Sequence, residues 1–333
     1  MNNKPYFSRK ASYSYKRKAA NPHLLFTLMV VIFFLINCQP LYAQDPQLPP
    51  TNLGITNMQD GKAPGPGWYY MQFVQAYQAN KNRDGNGKLI TGIPQISSLL
   101  SMQQIIYISK IKFLGGNLGY TAIVSLVKLS AVGNTAVSPS INPNPFGDII
   151  TGPMIQWFNK KLFGMDFSHR LELDFGIPAG AYQSKYDINP SAHVYRIFPH
   201  YTFTLTPWKN LSFSMRHHLT YYFNEIGTSV KPGFTYNFNY SAEYTVARNL
   251  TVELAGYYLK QLAQDSFDGD SHYYQNTYGI SNTKERVFAY GPGIGYVTPS
   301  GFFIEIKGMK EAAVQNRSKG FRTTIAVAYK LDK

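Results

Sequence analysis

The sequence has little of three things: cysteine, charge and long apolar runs. It contains a single cysteine, Cys38, in 333 residues, and only 15% of its residues are charged, against about 25% in ordinary soluble domains. After residue 43, no stretch approaches the roughly 18 apolar residues of a membrane-spanning helix. For an exported chain cleaved after Cys38, these absences exclude disulfides, a thiolate metal site and helical membrane spans.

The first 43 residues have the pattern of a secretory signal peptide. Six basic residues and no acidic residue precede an apolar core at residues 24–36, and the small residue Ala43 offers a cleavage site before Gln44. Cys38 lacks the preceding small residue that a lipid anchor requires. The alternative, a membrane-spanning anchor, is weaker because the apolar core is shorter than the roughly 20 residues of a span. We predict that residues 1–43 are removed on export.

The net charge of +14 does not indicate nucleic-acid binding. Part of it belongs to the leader, and the remaining basic residues are scattered rather than gathered in a stripe. An exported protein with scattered basic residues has no nucleic-acid footprint. We therefore expect no nucleic-acid partner, and no sequence motif predicts a cofactor.

Apolar and polar residues alternate in several segments. One example has apolar or aromatic residues at every second position: Phe167, His169, Leu171, Leu173, Phe175 and Ile177. A strand turns successive side chains to opposite faces, so Arg170, Glu172 and Asp174 would share the other face. The pattern recurs at 234–246 and 321–331. It is typical of a barrel with an apolar outer wall and a polar interior.

About twelve such segments follow an extended N-terminal segment, residues 44–67. They are 68–79, 102–113, 118–130, 148–158, 165–179, 195–207, 211–224, 233–247, 249–263, 285–297, 302–314 and 317–331. Short and long linkers alternate between them, except between Val314 and Arg317, where a long linker is due. An even strand number and two unequal rims are features of bacterial outer-membrane barrels. The prediction is an all-β fold, a transmembrane antiparallel β-barrel of about 12 strands over 68–333; the alternative is a secreted β-sandwich.

The polar face supplies the candidate functional residues, which we expect to line the lumen. They are Lys110, Lys112, Arg170, Glu172, Asp174, Arg216, His218, Glu243, Glu253, Gly291, Gly293, Glu305, Lys307 and Arg322. Isolated buried charges are costly, so these should pair across strands or contact water. A structural network that fills the lumen is favoured over a substrate site. The row of Gly291, Gly293 and Gly295 leaves room for a plug, a constriction or a ligand.

No metal site is predicted from the spacing of possible ligands. His217 and His218 are adjacent, so in a strand they face opposite ways, and His200 beside His218 does not make a zinc set. The acidic loops 84–88 and 265–272 lack the terminal glutamate of a calcium loop, and ordinary turns explain them.

Catalysis is not predicted either. Some outer-membrane barrels are lipases or acyltransferases, but this chain has no Gly-x-Ser-x-Gly motif, and Ser212 or Ser214 near His218 or His200 is only a proximity argument.

Several short motifs, in order along nearly the whole mature chain, carry a family resemblance. They are Gly65-Pro66-Gly67-Trp68-Tyr69-Tyr70, Asp84-Gly85-Asn86-Gly87, Leu114-Gly115-Gly116-Asn117-Leu118-Gly119-Tyr120, the segment 256–262 and Arg286-Val287-Phe288-Ala289-Tyr290-Gly291-Pro292, followed by Asn316-Arg317. The chain resembles the exported family labelled "putative meta-pathway of phenol degradation". The resemblance implies an outer-membrane β-barrel that admits aromatic or other hydrophobic compounds, with no agreed set of functional residues.

The sequence therefore favours a monomeric channel in the outer membrane of a Gram-negative bacterium. Its partners would be outer-membrane lipid and a small hydrophobic or aromatic solute taken up passively, and residues 44–67 are a candidate plug. The alternative is a structural or surface-interaction barrel with a closed lumen.

Overall fold

Twelve long antiparallel strands close into a barrel in the computed structural model, which describes residues 52–56, 58–92, 94–132 and 139–332. The strands are β1 Gly67–Arg83, β2 Gln95–Phe113, β3 Gly116–Val132, β4 Ile149–Leu162, β5 Met165–Ile177, β6 Val194–Trp208, β7 Leu211–Glu225, β8 Thr235–Ala247, β9 Leu250–Gln261, β10 Arg286–Val297, β11 Phe303–Gln315 and β12 Arg317–Lys330. Each pairs with the next in the chain, and β12 pairs with β1. The predicted transmembrane antiparallel β-barrel of 12 strands is confirmed. The predicted signal peptide lies outside the described residues.

Little regular structure lies outside these strands in the described part of the chain. Two-residue strands occur at Leu89–Ile90, Val230–Lys231 and Ser266–Phe267, and a six-residue helix at Tyr273–Tyr278. Among the described residues, no helix has the length and apolar character needed to cross a membrane.

The two faces of β5 show how alternation in the sequence becomes an inside and an outside. Leu171 and Leu173 are 45% and 40% exposed, whereas Glu172 and Asp174, which alternate with them, are buried. Apolar residues outside and charged residues inside invert the arrangement of a soluble domain. Lipid is the solvent that makes such an outer surface stable.

The two rims differ in the length of their connections. One rim carries the short connections 114–115, 163–164, 209–210, 248–249 and 298–302, and we call it the short-turn rim. The other, the long-loop rim, carries 84–94, 133–148, 178–193, 226–234 and 262–285. Bacterial barrels usually place short turns on the periplasmic side and long loops outside.

One connection on the long-loop rim is a single residue. Asn316 alone joins β11 to β12, with a φ of 48°. Its side-chain amide donates hydrogen bonds to the carbonyls of Asn282 (2.7 Å) and Lys284 (3.1 Å). The long loop 262–285 is thus hydrogen-bonded to the single-residue connection. This connection is the one at which the sequence interrupts the alternation of short and long linkers.

The described residues just before β1 lie inside the barrel. Residues 52–66, here called the N-terminal segment, precede Gly67 at the short-turn rim. Leu53, Ile55 and Met58 of this segment are buried, and they pack against inward-facing side chains of the wall.

Candidate functional site: the lumen and the N-terminal segment

Asp60 ties the N-terminal segment to two strands of the wall. Its carboxylate accepts a hydrogen bond from Arg216 Nε of β7 over 2.7 Å. Its carbonyl accepts one from Arg170 of β5 over 3.0 Å. All three residues are buried, so the two guanidinium groups supply the charge that a buried carboxylate requires.

A histidine bridges two carboxylates next to this contact. His200 Nε2 lies 2.9 Å from Glu172 and its Nδ1 lies 3.4 Å from Asp174. Glu172 is also ion-paired with Arg170. His218 lies on the other side of His200, with ring centroids 4.6 Å apart. The spacing of residues within strands placed His200 beside His218 but did not bring Glu172 and Asp174 to them. The signal for that contact is the register, which sets Glu172 opposite His200 and His200 opposite His218.

Three of these residues lie close enough to one another to hold a metal ion. Glu172, Asp174 and His200 each offer one ligand atom, all within 4.8 Å of one another. However, Arg170 and His200 already contact the same oxygen of Glu172. Because this oxygen is already paired with Arg170, the geometry of the cluster is that of an internal polar network.

A second polar network occupies the opposite wall. Lys307 Nζ donates to Glu305 over 2.8 Å and to the Ile55 carbonyl of the N-terminal segment over 3.1 Å. Glu253 accepts a hydrogen bond from Ser241 over 2.6 Å. These contacts give Lys307 a partner on the segment, Glu253 a partner on the neighbouring strand and Glu305 a partner on its own strand.

A third polar network contains one predicted lumen residue, Arg322. Its other members were not predicted from the sequence. Glu311 accepts hydrogen bonds from the hydroxyls of Tyr77 (2.9 Å) and Tyr257 (2.7 Å). Arg322 donates to the Tyr257 hydroxyl over 2.8 Å. The alternation along β11 puts Glu311 on the same face as Glu305, so this signal could have identified it.

Twelve of the fourteen predicted lumen residues face the interior. The buried ones with charged or imidazole side chains are Arg170, Glu172, Asp174, Arg216, His218, Glu243, Glu253, Glu305, Lys307 and Arg322. Gly291 and Gly293 face inward as well.

Lys110 and Lys112 depart from this arrangement. Both are exposed at the end of β2, next to the turn at 114–115. The pairing of β2 with β3 is irregular between Ile108 and Lys112, so simple alternation does not hold there. Lys112 Nζ instead donates to Asn117 over 2.6 Å at the short-turn rim.

The glycine row on β10 accommodates larger groups from elsewhere. A Cβ atom at Gly295 would overlap the sulfur of Met58, and one at Gly293 would overlap the carboxylate of Glu253. The absence of a side chain at Gly295 therefore lets the N-terminal segment lie close to the wall.

Side chains of the wall satisfy the irregular backbone of the N-terminal segment. Three wall residues accept hydrogen bonds from its amides: Asn239 from Gly54 (2.8 Å), Glu243 from Gln59 (2.8 Å) and Thr204 from Gly61 (3.0 Å). Besides Arg170, the wall residues that donate to its carbonyls include Gln75 to Leu53, Thr324 to Gly54, Lys307 to Ile55 and Gln156 to Gly61. Since a buried backbone without regular structure needs such partners, this wall is built to hold a chain segment.

Two cavities lie on either side of the N-terminal segment. One has a volume of about 440 Å³ and borders Met58, Asp60 and Gly301 of the short-turn rim. The other, about 80 Å³, borders Asn52 and Ile55. Gln104 and Arg216 line both cavities, so the boundary between them passes these two side chains.

An apolar strip on β1 and β2 runs along both cavities. This apolar strip consists of Met71, Phe73, Leu100, Met102, Ile106 and Ile108. They alternate with outward-facing residues and lie across the lumen from the charges of β5 to β7. The lumen thus has an apolar side as well as the charged side that the sequence analysis emphasised.

Two of the long loops are joined above the barrel. Asp187 accepts hydrogen bonds from the backbone amide (2.7 Å) and hydroxyl (2.8 Å) of Ser140. These hydrogen bonds, the backbone one first, lower the pKa of Asp187 below its usual value. Ile188 packs on Ile96 at the end of β2.

This chain was compared with known proteins by sequence and by structure. No curated protein has a sequence that matches this one. An outer membrane channel of Pseudomonas putida F1 has a similar structure, with a TM-score of 0.66 at 10% identity, over 80% of this chain and 96% of that one.

Two other solved structures are less similar. The transport unit of the autotransporter AIDA-I of Escherichia coli gives a TM-score of 0.44 at 10% identity, over 84% and 94% of the two chains. A mutant of the monoaromatic hydrocarbon channel TodX gives 0.38 at 8% identity, over 82% and 92%. The family model described as "Putative MetA-pathway of phenol degradation" matches residues 79–327. The chain, with its closed barrel of twelve strands, belongs to this family.

Proposed function

We propose that the protein is an outer-membrane channel for passive uptake of small hydrophobic or aromatic compounds, and that the N-terminal segment is its plug. The observation that carries the proposal is the apolar strip, which passes from one cavity to the other beside the segment. A polar filling alone would not need such a surface.

The two sides of the lumen have different tasks in this proposal. A solute with little polarity gains free energy, at about 25 cal/mol per Å² of apolar surface, when it leaves water for the strip. The charged side around Arg170 and Arg216 holds Asp60 and keeps the segment in place. Diffusion along the strip requires no energy source and no catalytic group.

The volumes of the two cavities indicate where a solute would meet the narrowest part of the lumen. The larger cavity, about 440 Å³, falls within the range of small-molecule sites. The smaller one, about 80 Å³, is roughly half the volume of an apolar cavity of about 150 Å³ that binds benzene. Passage would therefore require movement of residues 52–60, which separate the two.

A closed barrel for structural or surface contacts is the second candidate. It is favoured by the many hydrogen bonds between the N-terminal segment and the wall, such as those from Gly54 to Asn239 and from Gly61 to Thr204. In that case the lumen would admit no solute whether or not the segment is present.

Solute flux into liposomes distinguishes the two candidates. The protein would be compared with a variant that lacks residues 45–60, using phenol as the probe. We expect higher phenol flux for the deletion variant, because the two cavities would merge along the apolar strip. Equal, negligible flux for both would support the closed barrel and overturn the channel proposal.

A reversible restraint provides a matched control for the deletion. Met58→Cys combined with Gly295→Cys places two thiols at a contact between the segment and the wall. Bridging them with a short reducible crosslinker should lower phenol flux, and reduction should restore it. In each single-cysteine variant, phenol flux should be the same before and after treatment with the crosslinker.

A further inference from the structure

Five cationic side chains lie on the outer wall near the long-loop rim, on neighbouring strands around the β1–β12 seam. They are Lys260 of β9, Arg286 of β10, Lys310 of β11, Lys319 of β12 and Lys81 of β1. We call them the outer cationic patch. Along each strand they alternate with buried inward residues, among them Gln261, Val287 and Glu311, which places the five on the lipid-facing side.

The register of the strands brings like charges face to face. Lys260 is directly opposite Arg286, and Lys81 is directly opposite Lys319. Lys310 pairs with Phe321, two residues along β12 from Lys319. Like charges directly opposite each other destabilise a sheet, and a cation on the lipid face of a barrel is costly.

In the described part of the chain, no ion pair with an acidic side chain offsets these charges. Among the ion pairs of the described residues, none includes a member of the outer cationic patch. The buried acids nearby are already engaged on the inside: Glu311 with two tyrosines and Glu285 with Arg317. The outer cationic patch is therefore open to a negatively charged group from outside the chain.

The height of the patch matches a lipid headgroup. Along β9, ten residues separate Lys260 from Leu250, at the short-turn end of the strand. At about 3.4 Å per residue and a tilt of about 40°, they span about 26 Å of height, close to the roughly 25 Å apolar band of such barrels. Lys260 and Arg286 therefore lie where the apolar part of the leaflet ends and its headgroups begin.

We infer that the outer cationic patch binds the phosphate groups of a phosphorylated glycolipid in the leaflet on the long-loop side. Two clusters of cations a few residues apart suit a headgroup that carries more than one phosphate, and the apolar outer wall below them suits its acyl chains. The site is independent of the lumen, so it does not rest on solute transport.

Lipid binding to the purified full-length barrel tests the inference. Native mass spectrometry would count bound bisphosphorylated lipid A, dephosphorylated lipid A and phosphatidylglycerol. We expect the bisphosphorylated lipid to bind most tightly. We also expect Lys260→Gln with Arg286→Gln, or Lys81→Gln with Lys319→Gln, to weaken that binding about tenfold or more. The effect should shrink at high salt.

A charge-matched pair at the other rim is the control. Lys209→Gln with Arg248→Gln removes two exposed cations from the short turns and should leave lipid binding unchanged. Equal loss in this control, or equal binding of dephosphorylated lipid A, would overturn the inference. Equal binding of phosphatidylglycerol, or full displacement by free inorganic phosphate, would overturn the assignment to a glycolipid. Each pair substitution removes two like charges that face each other, so neither variant should fold less well than the unsubstituted protein. Misfolding of both variants would therefore contradict the inference.

Discussion

Arg216 holds Asp60 through a hydrogen bond of 2.7 Å from its Nε to the carboxylate, and the two side chains are both buried. One residue belongs to the wall and the other to the N-terminal segment. When one member of a buried ion pair is removed, the other is left with an uncompensated charge, at a cost of about 3–5 kcal/mol. This contact is therefore the place where the hold of the wall on the segment is easiest to weaken.

Asp60→Asn should loosen the N-terminal segment without changing its volume. The amide lacks the charge that Arg170 and Arg216 require, so the docked state should lose stability relative to a released one. Limited proteolysis should cut the segment faster, and phenol flux should rise. Asp187→Asn, the same change in an exposed loop, is the control, and equal proteolysis of the two variants would contradict the role of Asp60.

Gly295→Leu should displace the segment sterically. The new side chain would occupy the place of the Met58 thioether, so proteolysis of the segment should again be faster. Combining Gly295→Leu with Met58→Ala should restore protection, because the smaller residue vacates the space. If the double variant is as sensitive as Gly295→Leu alone, the contact is not what positions the segment.

Leu171→Arg tests which side of β5 faces lipid. Leu171 lies in the middle of the strand on the exposed face, so the arginine should destabilise the barrel by about 2–4 kcal/mol. Leu162→Arg, beside the short turn at 163–164, should cost only about 0–1 kcal/mol. Equilibrium unfolding in liposomes measures both, and equal costs would contradict the assignment of the membrane-facing band.

Gly291 and Gly293 should differ in their tolerance of a side chain. A Cβ at Gly291 would collide with the backbone of Gly308 on β11, whereas one at Gly293 would meet the flexible side chain of Glu253. We expect Gly291→Ala to lower stability by about 1–3 kcal/mol, and Gly293→Ala by less. The temperature at which the folded, fast-migrating gel band is lost provides the measurement. The reverse order would show that β11 can move away more easily than Glu253.

The strands of the barrel wall could be predicted from the sequence. The contacts inside the lumen and the path of the N-terminal segment could not. Alternation along segments such as Phe167–Ile177 identifies a strand and both of its faces, because a strand's side chains have a period of two. Alternation fails at Lys110 and Lys112, because an irregular pairing interrupts it.

The contacts across strands depend on register, which a single strand does not encode. Glu172 and His200 meet because β5 and β6 pair at one particular offset. The N-terminal segment has no period at all, so only its composition suggested that it was not a strand. Its path emerges from many individual hydrogen bonds, such as that from Gly54 to Asn239.

The seam between β1 and β12 joins the first and last strands of the barrel. Trp68 donates a backbone hydrogen bond to Asp332 over 2.7 Å, and Leu331 returns one to the carbonyl of Trp68 over 2.8 Å. The N-terminal segment continues directly into β1, so the strand that seals the cylinder is tethered to the peptide that fills it. Closing the cylinder therefore also fixes one end of its filling, because the pairing of β1 with β12 anchors the residue from which the segment starts at the short-turn rim.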